Sequence, residues 1–205
     1  MNILILAVLA KELNPIREHL LSLSPALKPI ALSFLKISIG LRKDTNYLKN
    51  YLDEKQIELV INAGSAGALS PAVALKEVIF PKLYLARDAV PLTAELLLGK
   101  WFTIQPKLLV DFRRGTLYTS TMPIKSTEQR NAIYARTHAL GVDLEAYLIA
   151  QLCLELRVPF TALKVITDAA DDQTSVSFNR NLKDAVTNLK LRLQTLIEVI
   201  HQEIN

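Results

Sequence analysis

Residues 2–8 read Asn-Ile-Leu-Ile-Leu-Ala-Val, with no polar side chain after the first position. An unbroken apolar run of this length reads as a strand covered on both faces, as in a parallel sheet between helices, rather than a strand with one wet face. The reading recurs downstream. Leu59 to Asn62 and Phe160 to Ile166 are apolar runs of strand length, and Ser33 to Ile39, Val78 to Ala86, Trp101 to Ile104 and Thr116 to Thr121 are further β segments. Helical spacing fills the intervals. Asn14-Pro15 reads as a cap followed by proline at the first helical position, with Ile16, Leu20 and Leu21 as the apolar stripe. Asn46 to Tyr51, Thr127 to Thr137 and Glu145 to Leu156 are helical, the last apolar on most sides and so expected to be buried. In the final helix Leu182, Val186, Leu189, Leu193, Leu196, Ile200 and Ile204 recur at spacings of three and four. Strands alternating with helices predict an α/β fold: three layers, a mixed and largely parallel central sheet flanked by helices, one domain over residues 1–205. Arg87 to Arg114 fits this alternation least and reads as an insertion.

Composition narrows the function classes. Half of the 205 residues are hydrophobic and 21% are charged, the balance of a globular chain. The net charge of +4 comes from scattered basic residues, and no alternation of basic and aromatic residues extends from the tightest pair, Arg113-Arg114. That is a solvated basic surface, not a nucleic-acid footprint. Cys153 stands alone, so no intrachain disulfide framework forms. His19, His138 and His201 follow no ligand spacing, and no metal or cofactor is expected. No run approaches the roughly 18 apolar residues of a membrane span. The opening run lacks the basic flank of a signal peptide. A reducing, cytoplasmic setting is the expectation, with a small molecule as partner and neither nucleic acid nor membrane.

The chemistry-bearing residues gather where strands end. The first strand leads to Glu12, the third into Gly64-Ser65-Ala66-Gly67, and the late strand to Asp168; Gly-Val-Asp-Leu-Glu places Asp143 and Glu145 ahead of the buried helix. In open α/β sheets ligands bind beyond the carboxyl ends of the strands, so residues distant in sequence converge there. Each signal alone has a plainer reading. A carboxylate after a strand is commonly a helix cap, the glycine pair is commonly a tight strand-to-helix turn, and Asp168, Asp171 and Asp172 together are commonly a solvated acidic cluster.

Four segments taken together resemble the purine nucleoside phosphorylase and uridine phosphorylase superfamily, and most of all its hydrolytic branch, the methylthioadenosine/S-adenosylhomocysteine nucleosidases, with futalosine hydrolases nearby. They are Leu9-Ala10-Lys11-Glu12, Asn62-Ala63-Gly64-Ser65-Ala66-Gly67, Val142-Asp143-Leu144-Glu145 and Ile166-Thr167-Asp168-Ala169-Ala170-Asp171. The resemblance implies that Glu12 is the general base for water, that Ser65 and Lys164 help hold that water, and that Glu145 accepts hydrogen bonds from ribose hydroxyls. It also implies that Leu144 packs on the sugar, that Ala66, Gly67, Asp143 and Thr167 line the substrate site, and that Asp168 protonates the departing base. Two departures stand out. The family's stacking phenylalanine is replaced by Pro123, leaving the main chain of Ile124 to meet the base, with Trp101 or Phe102 as candidate substitutes for the ring. The family's arginine is Lys164 here.

Cleaving an N-glycosidic bond builds positive charge on the sugar and negative charge on the base, so one carboxyl must donate a proton while another accepts one. The phosphorolytic members carry an arginine where this chain has Asn62, which favours hydrolysis. The expected function is a nucleosidase that releases free base and sugar from a purine or modified nucleoside, assembled as a homodimer as is common in the family. Phosphorolysis, and a nucleoside-binding protein without turnover, are the alternatives.

Overall fold

The structure is a computed structural model and describes residues 1–41, 43–99, 101 and 112–205. Eight strands form one sheet: β1 (Asn2–Ala7), β2 (Ala31–Lys36), β3 (Leu59–Ala68), β4 (Val78–Ala86), β5 (Leu92–Thr93), β6 (Arg113–Thr119), β7 (Gly141–Asp143) and β8 (Phe160–Asp168). Six described α-helices flank it: α1 (Ala10–Leu23), α2 (Thr45–Glu54), α3 (Ala94–Leu98), α4 (Thr127–Thr137), α5 (Ala146–Glu155) and α6 (Thr174–Ile204). This is the mixed α/β architecture that the alternation of apolar runs predicts. β1 lies parallel to β2 and β3, β3 to β8, β4 to β6 and β6 to β7, while β3–β7, β4–β5 and β4–β8 are antiparallel.

The apolar run of β1 explains itself in the packing. Ile3 and Ile5 join one core cluster with Leu13, Ile16 and Leu20 of α1 and Leu189, Leu193 and Ile197 of α6. Leu4 and Leu6 join the other, with Leu48 and Leu52 of α2 and Ile149 and Cys153 of α5. Each side chain so buried contributes roughly 1.5–3 kcal/mol. Strand order runs β2-β1-β3-β7-β6-β4-β5, and β8 pairs with both β3 and β4. β8 thus closes β3, β7, β6 and β4 into a ring, with β1 and β2 spreading from β3. β3 is the strand common to both parts. Its first half pairs with β1 and its end with β7, while β8 runs along its other edge.

Several elements depart from the sequence expectation. Helix α1 starts at Ala10, so Pro15 is inside it rather than at its first position. The start is fixed by Glu12, which accepts a hydrogen bond from the Leu9 N–H at 3.2 Å. Proline there forgoes a bond to the carbonyl of exposed Lys11, a loss that water can make good. β2 occupies Ala31–Lys36, and Ile39 falls in a short 3-10 turn after it. Gly64-Ser65-Ala66-Gly67 is not a turn: β3 runs extended through it to Ala68. Within Arg87 to Arg114, β5 pairs with β4, and Ala94, Leu97 and Leu98 of α3 are buried, so this part is integral to the core. Trp101 lies in a 3-10 turn rather than a strand, and residues 102–104 of that expected strand lie outside the described residues.

Candidate active site

One irregularity in the sheet positions the site. Ala66 of β3 pairs with Ile166 of β8, but the next rung joins Gly67 to Asp168, skipping Thr167. An unbroken ladder would put Thr167 opposite Gly67. This bulge brings Asp168 beside Gly67 instead, and bulges re-aim side chains in this way. The carbonyl of Thr167 accepts a hydrogen bond from Asn181 Nδ2 on α6 at 2.9 Å, which pins the irregular segment.

The two glycines of β3 each face one acid, and Gly67 makes room for it. A Cβ on Gly67 would stand 2.9 Å from Asp168 Oδ1 and 3.0 Å from the Ala170 Cβ. A Cβ on Gly64 would stand 3.4 Å from Glu12 Oε2, an ordinary contact. Gly67 therefore serves close approach of a side chain, not backbone bending.

Glu12, 2% exposed, reaches β3 from the first turn of α1. Its Oε1 accepts the main-chain N–H of Ser65 at 2.9 Å and the Ser65 hydroxyl at 2.6 Å. Oε2 accepts the Leu9 N–H. Each carboxylate oxygen offers two lone pairs, so Oε1 is filled while Oε2 keeps one free among the described residues. Asp168 repeats the pattern. Its Oδ1 accepts the Ala170 N–H at 2.9 Å and the Thr174 hydroxyl at 3.1 Å. Oδ2 lies 2.9 Å from the Thr167 hydroxyl, which also lies 3.3 Å from the carbonyl of Ala66. Oδ2 is the oxygen with capacity to spare.

Asp143 and Glu145 flank the buried ammonium of Lys164, which is 0% exposed. Lys164 Nζ stands 2.6 Å from Glu145 Oε1 and 3.0 Å from Asp143 Oδ2. Asp143 is held through both oxygens: its Oδ2 also accepts the Ala146 N–H at 3.0 Å, and its Oδ1 accepts the Thr119 hydroxyl at 2.6 Å. That hydroxyl in turn accepts the Tyr147 N–H at 3.0 Å. Glu145 Oε2 has no protein partner among the described residues. Burial, the largest influence on Glu145, pushes its carboxyl up to about 7; Lys164 opposes the rise, and Asp143 and Glu12 add to it. Burial alone would favour neutral Lys164, but Glu145 and Asp143 outweigh it and hold the ammonium above the ordinary lysine range.

A cavity of about 420 Å³ opens beside these groups. Glu12, Ser65, Ala66, Gly67, Ile124, Asp143, Leu144, Glu145, Thr167 and Asp168 all line it, so the structure brings these expected site residues to one place. Lys164 does not line it, standing behind the two carboxylates. Asn62 is also away from the wall, buried, its Nδ2 3.4 Å from the carbonyl of Leu6. Trp101 is packed in the core and does not line the cavity; Phe102 lies outside the described residues. The one aromatic ring lining the cavity, among the described residues, is Phe178 on α6. With Val8, Leu9 and Ile39 it supplies apolar lining that the motif reading missed at Val8, Ile39 and Phe178, because these three lie in none of the four segments and reach the cavity only through the fold. Thr174, which completes the shell of Asp168, was missed for the same reason. Its only local signal is a hydroxyl opening the last helix. Asp171 caps a local turn, accepting the Gln173 N–H, and Asp172 accepts from Thr127 at the start of α4. Among the described residues no helix is long and apolar enough to cross a membrane.

Comparison with known proteins places this geometry. Among curated proteins, the 5'-methylthioadenosine/S-adenosylhomocysteine nucleosidase of Staphylococcus epidermidis is 28% identical, over 69% of this chain and 70% of that protein. The nucleosidase of the same name from Baumannia cicadellinicola is 29% identical, over the same shares. Among solved structures, that nucleosidase from Helicobacter pylori, complexed with a pyrrolidine-based ligand, superposes with a TM-score of 0.82 at 16% identity, covering 97% of this chain and 98% of the other. A futalosine hydrolase mutant from the same organism superposes with a TM-score of 0.83 at 15% identity, covering 97% and 99%. These structural likenesses speak to the fold. The family model described as Phosphorylase superfamily matches residues 46–198, which include the glycine pair, the paired carboxylates around Lys164 and the bulge at Asp168; the chain belongs to that superfamily.

Proposed function

We propose that this chain, as one domain over residues 1–205, hydrolyses the N-glycosidic bond of a purine or modified nucleoside, releasing free base and sugar. The observation that carries the reading is that Glu12 and Asp168 line one cavity, each with one unfilled carboxylate oxygen. A water between Glu12 Oε2 and the sugar gives its proton to Glu12 as its oxygen bonds to the anomeric carbon. The carbon–nitrogen bond breaks with its electron pair passing to the base, which takes a proton from Asp168 Oδ2, at N7 if the base is a purine. General acid and base help of this kind is worth about 10²–10⁴-fold each. Glu145 Oε2 accepts from the sugar hydroxyls, and Leu144 packs on the ring.

Water is favoured over phosphate by charge. Four carboxylates, Glu12, Asp143, Glu145 and Asp168, line the cavity against one lysine, Lys125, and the buried Lys164 behind them is already committed to two of them. A phosphate dianion would meet carboxylates where it needs cations, whereas a sugar acquiring positive charge gains from them. The apolar wall of Val8, Leu9, Ile39 and Phe178 suits an apolar 5' substituent, as in methylthioadenosine, and a futalosine-like nucleoside is the neighbouring option. The test is a nucleoside panel assayed with and without phosphate. Free base released at equal rates in both supports hydrolysis. A phosphate requirement with a sugar 1-phosphate product would replace it with phosphorolysis, and tight binding without product would make the chain a binding protein.

A homodimer is part of the proposal. A second cavity of about 580 Å³ shares Ile39, Ile124 and Leu144 with the first, and its wall includes Met122 and Leu148, which with Ile39 are 64%, 38% and 51% exposed. Exposed apolar surface beside a ligand site marks an interaction face, and sedimentation in solution tests whether a second copy covers it. A reducing, cytoplasmic setting fits the buried free thiol of Cys153.

A further inference from the structure

We infer that Lys164 and Asp143 are a positioning pair that presents Glu145 to the sugar's vicinal hydroxyls, and that Lys164 is not a ligand of the attacking water. The inference rests on the nucleoside-site reading above and goes beyond it by reassigning both residues. Three observations carry it.

Lys164 is fully buried, does not line the cavity, and has its ammonium against Glu145 Oε1 and Asp143 Oδ2. The water-holding place is instead surrounded by groups that reach the cavity, Glu12 and Ser65. Asp143 lines the cavity but already accepts from Thr119, Ala146 and Lys164, so both of its oxygens are occupied by the protein and only Oδ1 keeps a lone pair. Glu145 is the reverse. One oxygen is held by Lys164 and the other is open, with two lone pairs at one edge of the cavity. Two adjacent hydroxyls of a ribose need such an acceptor. The chain of contacts Tyr147 N–H to Thr119 to Asp143 to Lys164 to Glu145 links helix α5, strands β6, β7 and β8, and the residue preceding α5. A carboxylate tethered through one oxygen loses little further freedom when the other engages substrate, which is how supporting contacts sharpen a binding group.

Lysine suits this role. Its compact ammonium donates to two or three acceptors converging on a point, whereas a guanidinium spreads its donors in a plane. The Lys164 ammonium also favours the acceptor-only form of Glu145 that the hydroxyls require, opposing the pull of burial described above.

The test is calorimetric binding of a C-nucleoside, whose base–sugar bond is carbon–carbon and is not hydrolysed, compared with its 2',3'-dideoxy counterpart, which lacks both hydroxyls. Hydrogen bonds to a charged group are worth enough that Lys164→Met is expected to weaken the ribose ligand about 20-fold or more, while the dideoxy ligand changes by less than about threefold. Lys164→Arg, which keeps the charge but spreads its donors, restores part of the difference. Asp143→Asn, near-isosteric and less demanding on folding, is expected to weaken the ribose ligand by a smaller factor with the same indifference of the dideoxy ligand. Should Lys164→Met fail to fold, the Asp143→Asn comparison decides alone. Equal losses for both ligands, in either variant, overturn the positioning role, and binding unchanged with turnover alone reduced returns Lys164 to the water. Wild-type protein that binds the C-nucleoside but releases no base from any nucleoside defeats the hydrolytic reading while leaving this one standing. Wild-type protein that binds neither ligand defeats both.

Discussion

Ser65 binds Glu12 twice, through its main-chain N–H at 2.9 Å and its hydroxyl at 2.6 Å, both on the same oxygen, Oε1. The serine thus orients the carboxylate without blocking the oxygen proposed to take the proton. Ser65→Ala keeps the main-chain bond and removes the hydroxyl. Its expected effect is a fall in kcat of about tenfold with KM little changed, because a hydrogen bond to a charged group is worth about 1.5–3 kcal/mol and half the tether survives. Steady-state kinetics on the best nucleoside of the panel checks it. Glu12→Gln is expected to lose about 10²–10⁴ in kcat, and an unimpaired Gln variant would remove Glu12 from the mechanism.

Asp168→Asn is the corresponding test at the base. The amide preserves shape and cannot supply the proton, so turnover is expected to fall by about 10²–10⁴ while nucleoside still binds. Base release together with calorimetric affinity separates the two effects. Full turnover in this variant would sink the acid assignment.

Glu145 gives a pH signature with two opposite slopes. Its carboxyl is raised from 4.5 to about 7, with burial first among the causes, and the charged groups facing it are Lys164 on β8, Asp143 on β7 and Glu12 on α1. A raised carboxyl binds its proton more tightly in the folded chain, so its contribution to stability is present below the unfolded pKa and fades as pH rises through the folded one. Ribose binding needs the ionised form and is expected to tighten over the same interval. Thermal unfolding and nucleoside affinity, both followed from pH 5 to about pH 8, should therefore diverge. The affinity slope is expected to vanish with a 2',3'-dideoxy ligand, and its persistence there would move the titration to another group.

The glycine pair predicts an asymmetry. At Gly67 a methyl group would press within 2.9 Å of Asp168 Oδ1 and 3.0 Å of the Ala170 Cβ, so Gly67→Ala must displace the acid or the chain behind it. A loss of about 1–3 kcal/mol of stability follows from overpacking, and kcat is expected to fall with it. At Gly64 the nearest atom is 3.4 Å away, an ordinary contact, and Gly64→Ala should keep most activity. Denaturant titrations and kinetics on both variants check the order, and a Gly67→Ala enzyme as active as Gly64→Ala would contradict it.

Much of this was legible beforehand, and what was not has physical causes. β4 and α4 have the bounds their patterns predict, and the uniformly apolar β1 is covered on both faces. Glu12 and Asp168 meet because β1 and β8, both parallel to β3, deliver their carboxyl ends to one side, whereas Asp143 and Glu145 arrive from β7, antiparallel to β3. The glycine pair reads as a tight turn or as part of a ligand site, because glycine permits both a bend and a close approach, and sequence alone does not say which. Asn14-Pro15 carries a good local capping signal, but the contact between Glu12 and Leu9 starts the helix earlier. β7 has three residues, too few for any periodicity to register. The partners of Lys164 come from the β7–α5 segment, and only the closed ring of strands sets them around one ammonium.

The skipped residue in β8 has a consequence for how this protein tolerates change. Thr167 is the spare link that lets the strand deliver Asp168 one place earlier on its neighbour than strict alternation allows. Removing it would mend the ladder with Asp168 still beside Gly67, yet would take away the hydroxyl against Oδ2 and the carbonyl that Asn181 holds. A shortened chain of that kind keeps its acid in register and loses what steadies it, so in this strand the irregular link is the one that ties the acid to the last helix.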